Sequence, residues 1–188
     1  MMNGVFSEFD LREMGIKLKS ADAYQTASCV GSCEETMETK VITKKCRGKV
    51  IKTKVRGTGN GTLKISMHMP WDIFVKMFGM EHASLIEGVK AYGDLSVHEE
   101  FAIVQHVYDE DDAEKYKAYP NCVMTSGIAR KIDNGAEEVA ETELEVAVMP
   151  DEYGFGVYEA LAEELADESV KNTWMTAFTP ELVHVASA

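Results

Sequence analysis

The chain has 188 residues, of which 45% are hydrophobic, and a formal net charge of −13 at pH 7. This length suits one domain with a substantial core and is short for two. The hydrophobic fraction is ordinary for a globular protein, so the acidity is not that of a disordered chain. No apolar stretch approaches the roughly 20 residues that span a membrane, and we expect no membrane anchor.

Residues 1–39 show little sustained hydrophobic period. Residues 1–8 have neither a basic start nor an apolar run, so we expect no secretory signal and synthesis in a cytoplasm. Residues 28–39 are small and polar, which is typical of a flexible loop. We therefore interpret residues 1–39 as an N-terminal arm or loop region.

A basic strip occupies residues 40–56. Eight of the 19 lysines and arginines lie in these 17 positions, without one acidic residue, so the rest of the chain carries a formal charge of −21. Such a strip can meet the acidic surface of another copy, whereas the acidic body would repel a nucleic acid everywhere else. Self-association is the first expectation, and a solvated edge strand protected by lysines is the alternative. The eight cations are Lys40, Lys44, Lys45, Arg47, Lys49, Lys52, Lys54 and Arg56.

Two neighbouring stretches predict a β-hairpin over residues 49–69. Residues 62–69 alternate strictly between polar and apolar side chains, which is the strongest strand signal in the chain. Residues 49–56 alternate as well, and three glycines within residues 57–61 favour a hairpin turn between the two stretches. The alternation places the cations of the first strand away from the core, so we predict that they contact other copies. These residues are Lys49, Lys52, Lys54 and Arg56.

Two helices are predicted. Pro70 opens the first, because proline at the first helical position loses no hydrogen bond, and apolar residues at helical spacing continue to a stop at Gly79. This helix, near residues 71–79, is expected to cover one face of the sheet. A second amphipathic pattern predicts a helix over residues 156–167, and residues 174–180 are interpreted as extended.

Further strands are predicted over residues 97–107, which end at an acidic loop, and over 121–132 and 139–149, which form a second hairpin with a turn at 133–135. Alternating glutamates in the last of these strands form a row on its solvent side. We interpret the row either as the lining of a lumen in a ring of subunits or as a soluble outer surface. Its members are Glu141, Glu143 and Glu145.

These elements predict a mainly β fold. Hairpins, two helices and the absence of β-α-β alternation favour an antiparallel β-sandwich or partly rolled barrel, with one or two flanking helices and long hairpin or loop arms. We expect a single domain over residues 1–188 with its core in residues 40–180.

Patterns for catalysis are missing from the sequence, which has no Gly-x-Ser-x-Gly motif, no His-Glu-x-x-His motif and no phosphate-binding loop. The glycines at 57–61 are followed by a strand and not by a helix, which disfavours a dinucleotide site. Only Cys29 and Cys33 form a close doublet, so free thiols are favoured over zinc. Residues 109–112 lack the pattern of a calcium loop. We predict no catalytic residue, no cofactor and no metal.

Taken together, the pattern resembles the major tail proteins, which form the tail tube of long-tailed bacteriophages. The resemblance covers about residues 40–180. It is carried by the chain length, the basic hairpin followed directly by Pro70-Trp71-Asp72-Ile73-Phe74, the glutamate-rich strand at 140–149 and its continuation through 150–155. It implies a β-sandwich with a flanking helix, assembled as hexameric rings that stack into a hollow tube.

The resemblance also implies a role and partners. The role is a structural virion protein in the tail, made in the bacterial host cytoplasm, whose tube conducts DNA during ejection. The partners are other copies of the chain, the tape measure, terminator and distal tail proteins, and DNA in transient, non-specific passage. An acidic lining would let phosphates slide past without binding. The alternatives are a tail adaptor or completion protein, a subunit of a phage-tail-like particle, and an unrelated soluble binding domain or enzyme.

Overall fold

The computed structural model describes residues 5–27, 29–132, 134–135 and 137–185. Within these ranges there are eight strands and three short helices. The strands are β1 (Asp10–Leu18), β2 (Gln25–Ala27), β3 (Val30–Cys46), β4 (Lys49–Met67), β5 (Phe101–Tyr108), β6 (Glu114–Met124), β7 (Thr142–Met149) and β8 (Tyr158–Leu161). The helices are α1 (Trp71–Met77), α2 (Glu168–Ala177) and α3 (Pro180–Val183). None of these helices has the length and apolar composition needed to cross a membrane.

The strands form one open antiparallel sheet in the order β2-β1-β5-β6-β7-β4-β3, and β8 pairs with β6 outside this path. The predicted mainly β, antiparallel class is confirmed. The sheet curls, because Lys117 on β6 forms an ion pair with Glu35 on β3 although β7 and β4 lie between these strands. The alternation predicted for β4 and β7 is also confirmed. Their buried residues are Leu63, Ile65, Met67, Leu144, Val146 and Val148.

The main core lies inside the curled sheet, where α1 packs. Ile73, Phe74 and Met77 of α1 are buried in this core, which confirms the predicted helix and its position against the sheet. The helix begins at Trp71, directly after Pro70. The chain then turns at Gly79, whose φ is +58° and whose position leaves no room for a Cβ against the backbone of Val97. Glycine is required there by both geometry and space.

A smaller core lies on the other side of β5 and β6. It contains Val104 and Tyr116 of these strands and Trp174 of α2. The indole N–H of Trp174 donates a hydrogen bond to the carbonyl oxygen of Lys117 over 3.2 Å. The prediction that residues 174–180 are extended is wrong, because Trp174 lies in α2 and α3 begins at Pro180.

The predicted helix over residues 156–167 is also wrong. Residues 158–161 form β8, which pairs with residues 115–118 of β6, while β7 pairs with residues 121–124. β8 therefore satisfies backbone groups of β6 that β7 leaves unpaired. The helix starts later because Asp167 caps it, its side chain accepting the N–H of Ser169 over 2.8 Å.

The predicted turn within residues 57–61 is wrong as well, because β4 runs unbroken through these glycines. The turn lies at Arg47 and Gly48, which both have positive φ, and the partner strand is β3. Gly61 allows close approach of β3, because a Cβ at this position would lie 2.8 Å from the carbonyl oxygen of Thr36. Residues 30–39, interpreted as a loop, are thus the inner half of a strand.

The described part of residues 1–39 forms strands and is not the N-terminal arm or loop region that the sequence predicts. β1 pairs with β5 and β2, and Met14, Ile16 and Leu18 are buried. Residues 1–4 and Ser28 lie outside the described residues.

The predicted pairing of the two strands of the second hairpin is confirmed by β6 and β7. However, β6 covers only residues 121–124 of the strand predicted over 121–132, and β7 begins at Thr142. Asp133, at the start of the predicted turn at 133–135, lies outside the described residues. The predicted strand at 97–107 corresponds to β5.

Candidate assembly surfaces

The outer part of the β3–β4 hairpin forms a two-stranded arm, which we define as residues 39–57. Every residue of the arm is exposed. β7 pairs with β4 only over residues 61–67, so the arm extends beyond the third strand. With eight residues in its β3 half, at about 3.3 Å per residue, the arm is roughly 25 Å long. It is a narrow ribbon with solvent on both faces.

One face of the arm is apolar. Residues directly opposite each other in an antiparallel pair lie on the same face. Val41 pairs with Val55 and Thr43 pairs with Thr53. The register shifts next to Ile51, between the pairs Lys44–Lys52 and Lys45–Val50. Val41, Ile51 and Val55 are 58%, 58% and 57% exposed. These apolar side chains lie outside the core, as the cations do, and the arm carries an unpartnered apolar face.

The other face of the arm is basic. Lys40 pairs with Arg56, Lys44 pairs with Lys52, and Lys54 lies opposite Ile42. Like charges directly opposite each other destabilise a pair of strands. Among the described residues, none of the eight arm cations forms an ion pair. The predicted contact residues are all exposed on the arm, and their contact with other copies stays a prediction. They are Lys49, Lys52, Lys54 and Arg56.

The predicted row of glutamates lies on the outer side of β7. Glu143 and Glu145 are exposed, with buried Leu144 between them. Glu141 precedes β7 and is half-buried, and one of its oxygens accepts a hydrogen bond from the Ser66 hydroxyl over 2.6 Å. The three glutamates therefore form a row on the outer side of β7. Their position in a lumen stays a prediction.

A groove lies next to this row, over the outer face of β3, β4 and β7. It consists of two adjoining hollows of about 480 and 790 Å³, which share Ser32, Ser66, Ala129 and Glu143. Five glutamates line it, together with the side chain of Val139, which is 81% exposed. The groove is thus both acidic and partly apolar. The glutamates are Glu34, Glu138, Glu141, Glu143 and Glu145.

Three cations also line the groove: Lys64, Arg130 and Lys131. Lys64 lies between Glu34 of β3 and Glu145 of β7 in the strand register. The guanidinium of Arg130 lies 4.5 Å from the ring centre of Phe74, over the aromatic face. The carboxylates nevertheless outnumber the cations in the groove.

A buried charge cluster, which sequence reasoning missed, lies inside the curl near the base of β3. Only 4% of the Lys117 side chain is exposed, and its ammonium group donates to Glu35 and to Glu8, the latter over 3.2 Å. Glu159 lies 3.3 Å away. Burial opposes the charge on Lys117, but the three carboxylates outweigh burial and raise its pKa. Lysine at alternate positions 115 and 117 would ordinarily indicate a solvent face, so the sequence carries no signal for this cluster.

Groups that could serve catalysis or metal binding are dispersed or already engaged. Within the described ranges, no cluster of three or more His, Cys, Asp or Glu residues is placed to hold a metal ion. Cys29, Cys33, Cys46 and Cys122 are free thiols. In the acidic loop after β5, Asp109 accepts the backbone N–H of Asp111 over 2.9 Å and caps its own turn.

No family model and no curated protein matches the chain. Fourteen chains of solved structures match it. The chain is similar to the tube terminating cap of the anti-feeding prophage, with a TM-score of 0.43 and 11% identity over 86% of this chain and 100% of the cap chain. It is also similar to a chain of the 6-fold symmetrised baseplate of the anti-feeding prophage, with a TM-score of 0.41 and 11% identity over 76% and 91% of the two chains.

Proposed function

We propose that this protein is a structural subunit of a phage tail or tail-like particle and that it self-assembles through the arm into stacked rings. In the family that the sequence resembles, such rings are hexameric and form the tail tube through which DNA is ejected. The observation that carries the proposal is the arm, a ribbon exposed on both faces of an acidic chain, whose eight cations form no ion pair with any described residue.

The arm is poorly stabilised in a single copy. A two-stranded ribbon alone is marginally stable in water, and paired cations such as Lys44 and Lys52 repel each other. Burying the apolar face against a partner would recover on the order of 1 kcal/mol for each of Val41 and Val55, which are about half exposed. The arm is therefore suited to an assembled state.

The charge distribution favours head-to-tail contacts between copies. A basic arm on one copy and the acidic body of the next are unlike surfaces, so their contact is heterologous. Heterologous contacts generate rings when the rotation closes and filaments when it does not. In a stack of rings, one heterologous contact closes each ring and another repeats along the axis.

The proposal assigns the protein no catalytic role and places it in the virion tail. Its partners would be other copies and the tape measure, terminator and distal tail proteins. The lumen position of Glu141, Glu143 and Glu145 is a separate proposal, on which assembly through the arm does not depend. In a lumen, these glutamates would form acidic belts that repel DNA.

Negative-stain electron microscopy of the purified chain tests the proposal. Stacked rings or tubes are the expected result. Isolated rings that never stack would assign the chain to the adaptor or completion class. Compact monomers at every concentration would contradict self-assembly and favour an unrelated soluble domain.

A further inference from the structure

We propose that the groove over β3, β4 and β7 receives the arm of a second copy of this chain. This inference rests on the proposed function, because it names the surface to which the arm binds. It gives Glu141, Glu143 and Glu145 a role as the receptor for the arm, in place of the lumen lining that the sequence predicts.

The two surfaces match in chemistry. The basic face of the arm carries Lys44, Lys52 and Arg56, and the opposite face carries Val41 and Val55. The groove is lined by five glutamates, and its apolar contribution comes from Ala129, Ala140 and the exposed Val139. Docking would pair arm cations with groove carboxylates and would remove apolar side chains from water on both partners.

Two of the three cations of the groove, Arg130 and Lys64, have neighbours that leave this match in place. The guanidinium of Arg130 is directed over Phe74 and Trp71, and Lys64 is flanked by two glutamates in the register. Glu143 and Glu145 are exposed, and neither carboxylate forms an ion pair within the described residues. They are available to cations from outside the chain.

The position of the two surfaces requires a second copy. Glu34 and Lys64 form a strand pair that lines the groove, and Lys44 and Lys52 form a pair of the arm ten residues further along β3. At about 3.3 Å per residue, the two pairs are roughly 33 Å apart. Because both lie on the same two extended strands, the arm points away from the groove of its own chain. A second copy displaced by about that distance along the strands brings its groove to the arm.

Charge reversal tests this contact by complementation between two variants. The arm variant carries Lys52→Glu, Lys54→Glu and Arg56→Glu. The groove variant carries Glu141→Lys, Glu143→Lys and Glu145→Lys. Alone, each variant opposes like charges at its reversed positions, and we expect sedimentable assembly to fall at least tenfold.

An equimolar mixture of the two variants should assemble. The reversed arm positions 52, 54 and 56 of one variant then meet the reversed groove positions 141, 143 and 145 of the other. The basic arm of the second variant meets the acidic groove of the first. Sedimentation and negative-stain images should show alternating copies at near wild-type yield. A mixture that stays unassembled, with both variants folded by circular dichroism, would overturn the inference.

A matched control separates an effect of the groove positions from an effect of the net charge alone. Glu110→Lys, Glu163→Lys and Glu164→Lys change the net charge by the same amount at exposed positions outside the groove, and assembly should be retained. If the groove variant also assembles alone, the arm binds elsewhere and the lumen role of the row regains support, while the proposed function stands. If wild-type protein itself fails to assemble, the proposed function fails first.

Zero-length crosslinking tests the contact in wild-type protein, so its result does not depend on whether the groove variant folds. Carbodiimide treatment of assembled wild-type protein should join Lys52 or Lys54 to Glu143 or Glu145 by an amide bond. Mixing unlabelled copies with copies uniformly labelled with ¹⁵N identifies links between copies by mass spectrometry. Arm lysines linked only to carboxylates outside the groove would contradict the proposal.

Discussion

Lys117 of β6 and Glu35 of β3 form an ion pair across the interior of the curled sheet, although two strands separate them in the sheet order. Glu35 also accepts a hydrogen bond from the hydroxyl of Tyr119 over 2.9 Å. It lies four residues before the arm begins. The pair therefore anchors the base of the arm to a strand on the opposite side of the curl.

Replacing Lys117 by Met should destabilise the fold. The substitution keeps the aliphatic volume but leaves the carboxylate of Glu35 partly buried without its cation, and breaking a buried pair in this way costs about 3 kcal/mol. Urea unfolding followed by circular dichroism measures the loss. Lys76→Met on the exposed side of α1 is the control and should change stability by less than about 0.5 kcal/mol. A Lys117→Met protein as stable as the control would show that the cluster contributes nothing to the fold.

Stability should decline in acid partly through Glu8. Burial opposes ionisation of Glu8, but hydrogen bonds and charge from Lys115 and Lys117 outweigh burial and lower its pKa below the ordinary value of 4.5. A carboxyl with a lowered pKa in the folded state stabilises the fold above its unfolded pKa, and that stability is lost as pH falls through the folded pKa. Glu8→Gln should therefore be less stable at pH 7 and lose less stability than wild type below pH 4.5. Parallel pH profiles for the two proteins would contradict this assignment.

The triple arm variant Lys52→Glu, Lys54→Glu, Arg56→Glu should fold normally and fail to assemble. All three side chains are exposed and without ion pairs in the described part of the chain. The circular-dichroism spectrum and melting temperature should stay near wild type, while electron microscopy shows no tubes. An unfolded variant would instead place these side chains in the structure of the monomer.

Salt should weaken assembly. Exposed charges are screened over about 10 Å at 0.1 M ionic strength, and the proposed contact joins a strip of eight cations to a body carrying −21. Light scattering across a sodium chloride series should show a falling signal. Assembly that is unchanged or stronger in high salt would mean that apolar contacts dominate.

The apolar face of the arm should matter separately from its charge. Val41→Thr with Val55→Thr keeps two β-branched residues in the ribbon and changes no charge, so the monomer should keep its melting temperature. Assembly should need a higher protein concentration, because apolar area that the partner buries is lost. The onset of light scattering against concentration measures the effect. An unchanged onset would assign the contact to the basic face alone.

The short-range periodicity of the sequence was enough to predict several elements of this fold. The alternation in residues 62–67 and 142–149 predicted which side chains of β4 and β7 are buried, and apolar spacing after Pro70 predicted α1. The eight cations of residues 40–56, with no acidic residue among them, predicted an exposed basic element. Each of these features depends on a neighbourhood of a few residues, because a side chain repeats its environment every two residues in a strand and about every 3.6 in a helix.

Tertiary structure decided the rest. The glycines of residues 57–61 were predicted to form a turn, but pairing with β3 keeps them in a strand, where Gly61 allows close approach to Thr36. Residues 158–161 have a helical pattern, but the unpaired edge of β6 makes them a strand. Lys117 is buried only because the sheet curls and brings Glu8, Glu35 and Glu159 to it from three distant segments. Pairing partners and buried charges depend on residues far apart in the chain, which local periodicity does not report.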